Sequence, residues 1–318
     1  MTGTGTQNDP FIITTAEELY SMETEGGEEI WFRLGNDIDF EQTQYSENFR
    51  PIVLNCAGFD GNGKKLRNIV YSYPSGTASV FRIPSRASMS ISGLTVENLI
   101  ITGKTVAIFF GVTTLCELSL NGCTFTGYVS YGSESAQYIV RKGLFHNDMV
   151  KISMELCTVA LRIDFIKAIA MIGRGNVRHC QFRLDISTLT FSSPSDDADG
   201  LFSETTVTDS YLFGNIRQRV PTETENSYFF SNSSSYFSNF YMVVTFGAGI
   251  TNVYWRGTFS TPCFYDSEAA FADHTVTFYI DGSSSSPSRR NFLALTTAQA
   301  KDAAYLRSVG FSCEEESE

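Results

Sequence analysis

The sequence contains few of the residues from which metal and nucleophilic sites are usually built. Its 318 residues include three histidines, and no CxxC or HxxxH spacing occurs. No glycine-rich segment is followed by Lys-Ser or Lys-Thr at the spacing of a phosphate-binding loop. No apolar run approaches the roughly 18 residues that a membrane-spanning helix requires. We therefore expect no cofactor, no bound metal and no membrane span.

Basic residues are scarce as well. The chain has 23 Lys and Arg against 35 Asp and Glu, which gives a formal net charge of −12. Such a chain repels a phosphate backbone and has no basic stripe for counterion release, so nucleic acid is not an expected partner. The first ten residues lack the basic and apolar blocks of a secretory signal. We therefore expect synthesis and retention in a cytoplasm.

The seven cysteines are an odd number, which does not suit a framework of disulfide bonds. Cys123, Cys157 and Cys180 occupy one common place in short alternating runs, and Ser210 and Val253 occupy it in later runs. Because small and apolar residues share this place, it predicts a ladder of buried and unreactive side chains. The aligned runs are residues 118–127, 177–186, 207–216 and 250–259.

A second pattern, a small residue beside bulky apolar ones, recurs about every thirty residues. Two strand signals in each period predict an all-β solenoid, because strands of about five residues with their turns account for that length. The strands alternate with period two, which excludes a helical solenoid. The pattern occurs at residues 79–81, 107–110, 138–140, 168–171, 200–202 and 228–230.

The two ends of the chain predict helices. Thr14 or Thr15 can cap a helix whose first turn is acidic, and such a helix would cover the first coil. Residues 297–309 carry Ala, Tyr and Leu at helical spacing and are followed by Gly310. We predict an N-terminal cap with the first coils over 1–70, a β-helix over 71–282, and a C-terminal helix with an acidic tail over 283–318.

Several segments resemble a known class of repeat protein. Gly-Thr-Gly-Thr near the start is followed by residues 9–11, 15–19, 34–39, 59–63 and 91–98, and this succession resembles the GLUG-type repeat modules of bacterial surface proteins. Similar modules occur in bacteriophage tail and fibre proteins. The resemblance covers roughly residues 3–103 and implies a right-handed parallel β-helix. Resemblance to tailspikes also implies a homotrimer.

The most acidic segment is residues 193–200. Clustered carboxylates are what glycoside hydrolysis or calcium binding requires, so this loop holds the candidate catalytic acids. The twelve-residue calcium loop is not present, and adjacent aspartates with Pro and Gly also describe a solvated turn. The candidates are Asp196, Asp197, Asp199 and Glu204.

An outward aromatic stripe is predicted on the later coils. Tyr211, Tyr241 and Tyr254 follow the inward place, and Phe213 and Val243 lie two residues beyond it. Such a stripe marks an interaction site, either for sugar stacking or for burial between subunits, and the apolar pair favours burial. The inward places at 240 and 253 are too close for a full coil, which predicts that one of Tyr241 and Tyr254 lies on a different sheet.

The sequence therefore favours a non-enzymatic structural or attachment component of a bacteriophage virion, in a tail, fibre or spike. Its expected partners are copies of itself, other virion proteins, and a glycan or protein of the host surface. Two alternatives stay open: a polysaccharide depolymerase that uses the acidic loop, and a bacterial cell-surface adhesin.

Overall fold

Parallel strands stack into a solenoid in the computed structural model of this chain, which confirms the predicted all-β, parallel β-helix architecture. Among the described residues, the long sheet contains 20 strands and a second sheet contains 3. The structure describes residues 1–84, 88–111, 116–131, 144–145, 150–167, 171–190, 201–218, 226–231, 235–247, 250–259, 263–266, 277–281, 292–300 and 302–309.

The strands described in the first half of the chain range in length from 2 to 17 residues. They are β1 (Phe11–Ile13), β2 (Trp31–Leu34), β3 (Ile38–Asp39), β4 (Ile52–Val53), β5 (Gly58–Asp60), β6 (Lys65–Arg67), β7 (Val70–Ile83), β8 (Ser88–Ser92), β9 (Thr95–Gly111), β10 (Cys116–Asn121), β11 (Thr124–Tyr131), β12 (Val150–Glu155) and β13 (Thr158–Lys167).

The strands described in the second half range in length from 2 to 14 residues. They are β14 (Gly175–Arg178), β15 (Gln181–Thr190), β16 (Thr205–Gln218), β17 (Asn226–Ser231), β18 (Tyr236–Phe246), β19 (Ile250–Arg256), β20 (Thr258–Phe259), β21 (Cys263–Asp266), β22 (Thr277–Asp281) and β23 (Phe292–Leu295).

Two long ladders of parallel strands run along the solenoid. The first ladder runs from β1 through β2, β5, β8, β10, β12 and β14 to the first residues of β16 and β18. The second runs from β3 through β6, β9, β11, β13, β15, β16 and β18 to β21 and β23. Alternate side chains of each strand therefore point into the solenoid or away from it.

Phenylalanine rings fill the interior. Phe81 and Phe109 stack with ring centroids 5.0 Å apart, and Phe125 contacts Phe109 at 5.9 Å and Phe145 at 5.2 Å. All four side chains are fully buried. Adjacent coils thus bury their inward faces on one another, which is the arrangement that holds a solenoid together without a central core.

The thiol ladder predicted from the repeat is present. Cys123, Cys157 and Cys180 are buried, and pairing of β11 with β13 and of β13 with β15 brings them into adjacent coils. Ser210 continues the ladder and is also buried. The predicted place of Val253 is wrong, because residues 250–256 form β19 in the three-stranded sheet. Strand pairing of β16 with β18 and of β18 with β21 shows that Phe240 and Cys263 occupy the positions that follow Ser210 in the ladder.

The strand register of the second repeat pattern differs from the prediction. Phe81 pairs with Phe109, one residue before the predicted end of that segment. Residues 138–140 lie outside the described residues, and Phe145 occupies the next position, since its carbonyl accepts a hydrogen bond from the Phe109 amide at 3.2 Å. The pattern continues to Phe202, but the bridge partner of Phe202 is Ile172, one residue after the predicted Met171.

Both ends are helical, but the C-terminal helix is interrupted. Helix α1 (Ala16–Glu25) begins at Thr15, whose hydroxyl accepts a hydrogen bond from the Glu18 amide at 3.2 Å. The single predicted C-terminal helix is instead α2 (Thr297–Ala300) and α3 (Ala303–Ser308), because Asp302 caps the second one. A short 3₁₀ helix spans Phe40–Gln42. The predicted domain boundaries at residues 70 and 282 stay a prediction.

Within the described ranges, no helix is both long enough and apolar enough to cross a membrane.

Candidate functional site

The outer face of the second ladder carries a groove of about 470 Å³. It lies on β13, β15 and β16, where strand pairing aligns residues of three successive coils. Because each of these strands is paired on both sides, the groove presents mainly side chains to a ligand. Its lining residues are Leu161, Arg183, Leu184, Asp185, Phe213, Gly214 and Asn215.

Charged side chains alternate along the groove. Asp185 Oδ2 lies 3.5 Å from the Arg217 guanidinium, whereas Asp185 Oδ1 is buried and has no hydrogen-bond partner in the part of the chain that the structure describes. Arg183 is exposed on the same face of β15, and no ion pair of its guanidinium occurs among the described residues. The groove therefore holds one positive charge, that of Arg183, which the described residues leave without an ion pair.

A second charged group adjoins the groove. The hydroxyl of Tyr128 donates a hydrogen bond of 2.8 Å to Asp164 Oδ2, and the Arg162 guanidinium lies 3.8 Å from the same oxygen. Arg162 also lies over the Tyr128 ring, 5.6 Å from its centroid. Asp164 is buried, so it holds the polar end of the tyrosine in one orientation while the ring stays half-buried.

An apolar row leads into this charged group. Val70 pairs with Ile100, and Ile100 pairs with Tyr128, so the three side chains lie side by side on the outer face. Val70 is 50% exposed and Ile100 is 43% exposed. In the next row, Thr102 donates a hydrogen bond of 2.9 Å to the Ser72 hydroxyl or accepts one from it. We call Val70, Ile100 and Tyr128 the apolar row.

The predicted aromatic stripe is partly assembled beside the groove. Tyr211 pairs with Tyr241, and Phe213 pairs with Val243. The Tyr211 and Phe213 rings stack with centroids 6.4 Å apart, and Phe213 meets Tyr241 edge-on at 6.2 Å. Tyr254 lies in β19 on the three-stranded sheet. This confirms the prediction that one of Tyr241 and Tyr254 lies on a different sheet.

The C-terminal segment of the same chain covers part of this stripe. Leu306 of α3 and Leu295 of β23 form a buried cluster with Tyr241, and Tyr305 and Val309 pack at its margin. Tyr241 is only 6% exposed. The stripe is therefore not an open surface at Tyr241, and its predicted role between subunits stays a prediction.

The candidate catalytic acids are not brought together within the described residues. Asp196, Asp197 and Asp199 lie outside them. Glu204 is exposed at a corner before β16, where its backbone has φ +47°. Its carbonyl oxygen accepts a hydrogen bond from the Gly175 amide at 3.4 Å. No group of three or more metal-ligating side chains occurs in the described ranges.

A second groove adjoins the N-terminal end of α1, and its carboxylates already have partners. Asp37 Oδ2 lies 3.4 Å from the Arg67 guanidinium, and Asp39 Oδ1 accepts a hydrogen bond of 2.8 Å from the Asn68 amide. These contacts stabilise the corner between coils and leave both carboxylates paired.

Sequence reasoning missed Tyr128, Arg162, Asp164, Arg183 and Asp185. A signal for the charged residues exists, because Arg-x-Asp occurs at residues 162–164 and again at 183–185. Strand register offsets the two motifs by two residues, so that Arg162 pairs with Asp185. That offset is what interleaves positive and negative side chains across the coils.

Comparison with known proteins defines the class of this chain by its fold. No protein-family model and no curated protein matches the sequence. Among solved structures, the chain is similar to the crystal structure of a "putative immunoglobulin A1 protease" from Bacteroides ovatus, with a TM-score of 0.50 and 13% sequence identity. The match covers 88% of this chain and 85% of that chain. At this identity, the likeness concerns the fold alone, which is a parallel β-solenoid.

Proposed function

We propose that this chain is a non-enzymatic attachment protein whose outer sheet face binds a ligand on a bacterial surface. The observation that carries the proposal is the apolar row, in which exposed Val70 and Ile100 adjoin the oriented Tyr128 ring. Contiguous apolar side chains exposed on a rigid scaffold are typical of interaction sites.

The polar surroundings of the apolar row favour a glycan as the ligand. Asp164 fixes the Tyr128 hydroxyl and Arg162 lies over the ring, so the exposed remainder of this half-buried ring is a preorganised apolar surface for a sugar ring. The adjacent hydroxyls of Ser72 and Thr102 can exchange hydrogen bonds with sugar hydroxyls. Stacking and hydrogen bonding thus lie on neighbouring rows of one sheet.

Within this function, we also propose that the protein belongs to a bacteriophage virion, as a tail, fibre or spike component made in the host cytoplasm. Residues 3–103 resemble GLUG-type modules of bacterial surface proteins, and the occurrence of similar modules in tail and fibre proteins supports this context. It also supports a homotrimer. Antibodies against the purified protein should label virions in electron micrographs, and light scattering should give the mass of a trimer. A monomeric mass or unlabelled virions would contradict these finer proposals.

Adsorption of the labelled protein to a panel of bacterial strains tests the attachment function. We expect Ile100→Ser and Tyr128→Ala each to reduce bound fluorescence about tenfold on a strain that the wild-type protein labels, because both remove ligand-contacting apolar surface. Leu156→Ser is the matched control, since Leu156 is 60% exposed but lies at a corner outside the apolar row.

Two results would overturn the proposal. Equal losses in the control and in the two row variants would show that the apolar row has no specific role. A decrease in the mass of surface polysaccharide after incubation with the protein would establish cleavage and favour the depolymerase alternative. Asp196→Asn would then show whether the acidic loop is responsible.

A further inference from the structure

We infer that the groove on β13, β15 and β16 binds an anionic saccharide, with Arg183 receiving a carboxylate of the sugar. This inference rests on the proposed attachment function and specifies the chemical class of its ligand. It concerns the end of the outer face that lies beyond the apolar row.

The charge balance of the groove supports an anionic ligand. Among the described arginines beside the groove, Arg162 lies near Asp164 and Arg217 lies near Asp185, whereas Arg183 has no ion-pair partner in the described ranges. A guanidinium fork matches a carboxylate with two parallel hydrogen bonds. Although the chain has a net charge of −12, the acid group of a ligand would meet the unpaired positive charge of Arg183 in this groove.

Asp185 supplies the complementary acceptor. Its side chain is 38% exposed, and its Oδ2 atom lies 3.5 Å from the Arg217 guanidinium. The exposed part of this carboxylate can accept a hydrogen bond from a sugar hydroxyl. Arg183 and Asp185 are two residues apart on one face of β15, a separation of about 7 Å along the strand. A single sugar ring that carries both an acid and hydroxyl groups can reach both side chains.

The surrounding structure favours a saccharide over a peptide. Peptides usually bind β-sheets by adding a strand at an open edge, but β15 is paired with β13 on one side and with β16 on the other. The groove therefore recognises its ligand mainly through side chains. Phe213 provides an apolar wall, and the exposed Asn215 provides an amide for further hydroxyls.

Strand register indicates how a longer ligand would lie. Tyr128, Arg162, Asp185 and Asn215 are successive partners on four adjacent strands. Adjacent strands are about 4.8 Å apart, so these side chains form a line along the solenoid axis. A polysaccharide lying along this line would contact the apolar row at one end and Arg183 at the other.

Titration calorimetry with a short oligogalacturonate tests the inference, and its fully methyl-esterified form serves as a neutral ligand of nearly the same shape. We expect the acid form to bind at least about tenfold more tightly than the ester, as loss of a charge-assisted hydrogen bond predicts. Arg183→Gln should reduce binding of the acid form to the level of the ester. Arg178→Gln is the matched control, because Arg178 is exposed on β14 in the first ladder.

The outcomes separate this inference from the function on which it rests. Equal binding of acid and ester, or unchanged binding in Arg183→Gln, would overturn the anionic specificity, whatever the cell-adsorption result. If neither oligosaccharide binds, competition of cell adsorption by hyaluronan and by neutral dextran decides the matter. The inference is supported if hyaluronan but not dextran reduces cell adsorption of the wild-type protein, and if hyaluronan no longer reduces adsorption of Arg183→Gln. If neither polymer reduces adsorption, the inference is overturned and the attachment function is unaffected.

Discussion

At the scale of single residues, the corner between the two ladders shows how the chain tolerates strain. The backbone turns through the left-handed region at this corner in successive coils, and glycine adopts that conformation without the steric cost that a Cβ imposes. A non-glycine residue there is therefore a place where sequence and structure conflict. The corner residues are Gly93, Gly122, Leu156, His179, Asp209 and Asn239.

Leu156 is the least suited of these corner residues. It has φ +55°, its side chain is 60% exposed, and no short polar group compensates for the conformation as it can in Asp or Asn. We expect Leu156→Gly to raise the free energy of unfolding by about 1 kcal/mol and to raise the melting temperature. Gly122→Leu, the reverse change one coil earlier, should lower both. A lower melting temperature for Leu156→Gly would contradict this reasoning.

Glu18 makes stability depend on pH. Partial burial would raise the pKa of its carboxyl, but hydrogen bonds from the Met1 amino group and from Thr14 outweigh that and lower the pKa from 4.5 to about 2. A lowered folded-state pKa means that this contribution is complete above pH 4.5 and is lost as the pH falls toward 2.

Chemical denaturation at pH 6 and at pH 3 measures this effect. We expect Glu18→Gln to lower the free energy of unfolding at pH 6 by about 1–3 kcal/mol and to have a smaller effect at pH 3. Glu25→Gln, at the other end of α1, is the control and should change neither value appreciably. An equal loss for Glu18→Gln at both pH values would show that its charge is not responsible.

The thiol ladder is a residue-scale feature that sequence reasoning placed well. Alternation identified Cys123, Cys157 and Cys180 as inward, and all three are buried. Hydrogen bonding to Cys157 and burial raise the pKa of Cys123, and burial raises the pKa of Cys263 to about 12. The sequence could reveal this because inward places accept only small or apolar side chains, whatever the lengths of the turns between them.

At the scale of elements, the C-terminal segment acts as a cover for the aromatic stripe. Asp302 begins α3 by accepting hydrogen bonds from the amides of Ala304 and Tyr305, at 2.9 and 3.0 Å. The same helix then buries Leu306 against Tyr241. A helix of this length has little stability alone, so its packing on the sheet must supply most of what holds it.

Replacement of Leu306 should therefore release the cover and leave the solenoid folded. We expect Leu306→Ser to cost about 1.5–3 kcal/mol locally, the value of burying one leucine side chain. Trypsin should then cleave after Arg307 faster than in the wild-type protein, as followed by mass spectrometry. Ala304→Ser is the control, because Ala304 is exposed on the same helix. Unchanged cleavage in Leu306→Ser would show that other contacts hold α3.

Element register also explains which parts of the site were hidden from the sequence. Cys123 and Cys157 are 34 residues apart (157 − 123), whereas Cys157 and Cys180 are 23 apart (180 − 157), although each pair lies in adjacent coils. Turn length therefore varies between coils while strand spacing does not. Only the three-dimensional pairing reveals that Arg162 lies opposite Asp185, and this is why the groove was not predicted.

At the scale of the whole molecule, the thirty-residue period was sufficient to predict the solenoid, because every coil repeats the same inward alternation. It was insufficient around β18, because β17 and β19 lie in a separate sheet while β20 and β21 pair with β18 in the long one. An alignment of linear patterns treats these segments as equivalent, since β19 has the same alternation as the others. The fold is thus specified by a repeated pattern, and the site by irregularities in that pattern.

Because each coil contacts mainly its neighbours, local damage should stay local. Phe125→Ala removes a ring that packs on Phe109 and Phe145, and loss of a buried phenylalanine costs about 3–5 kcal/mol. Hydrogen exchange with mass spectrometry should show faster exchange in β9, β11 and β13. The matched variant Phe237→Ala, whose ring packs on Phe202 and Phe240, should accelerate exchange in β16 and β18 instead.

The distribution of exchange rates decides between a modular and a fully cooperative solenoid. In a modular solenoid, strands paired on both sides, such as β11 and β13, exchange slowly in the wild-type protein, whereas the terminal strands β1 and β23 exchange first. If both phenylalanine variants accelerate exchange equally along the chain, the coils unfold as one unit. The stiffness of the solenoid would then derive from global cooperativity, rather than from contacts between neighbouring coils.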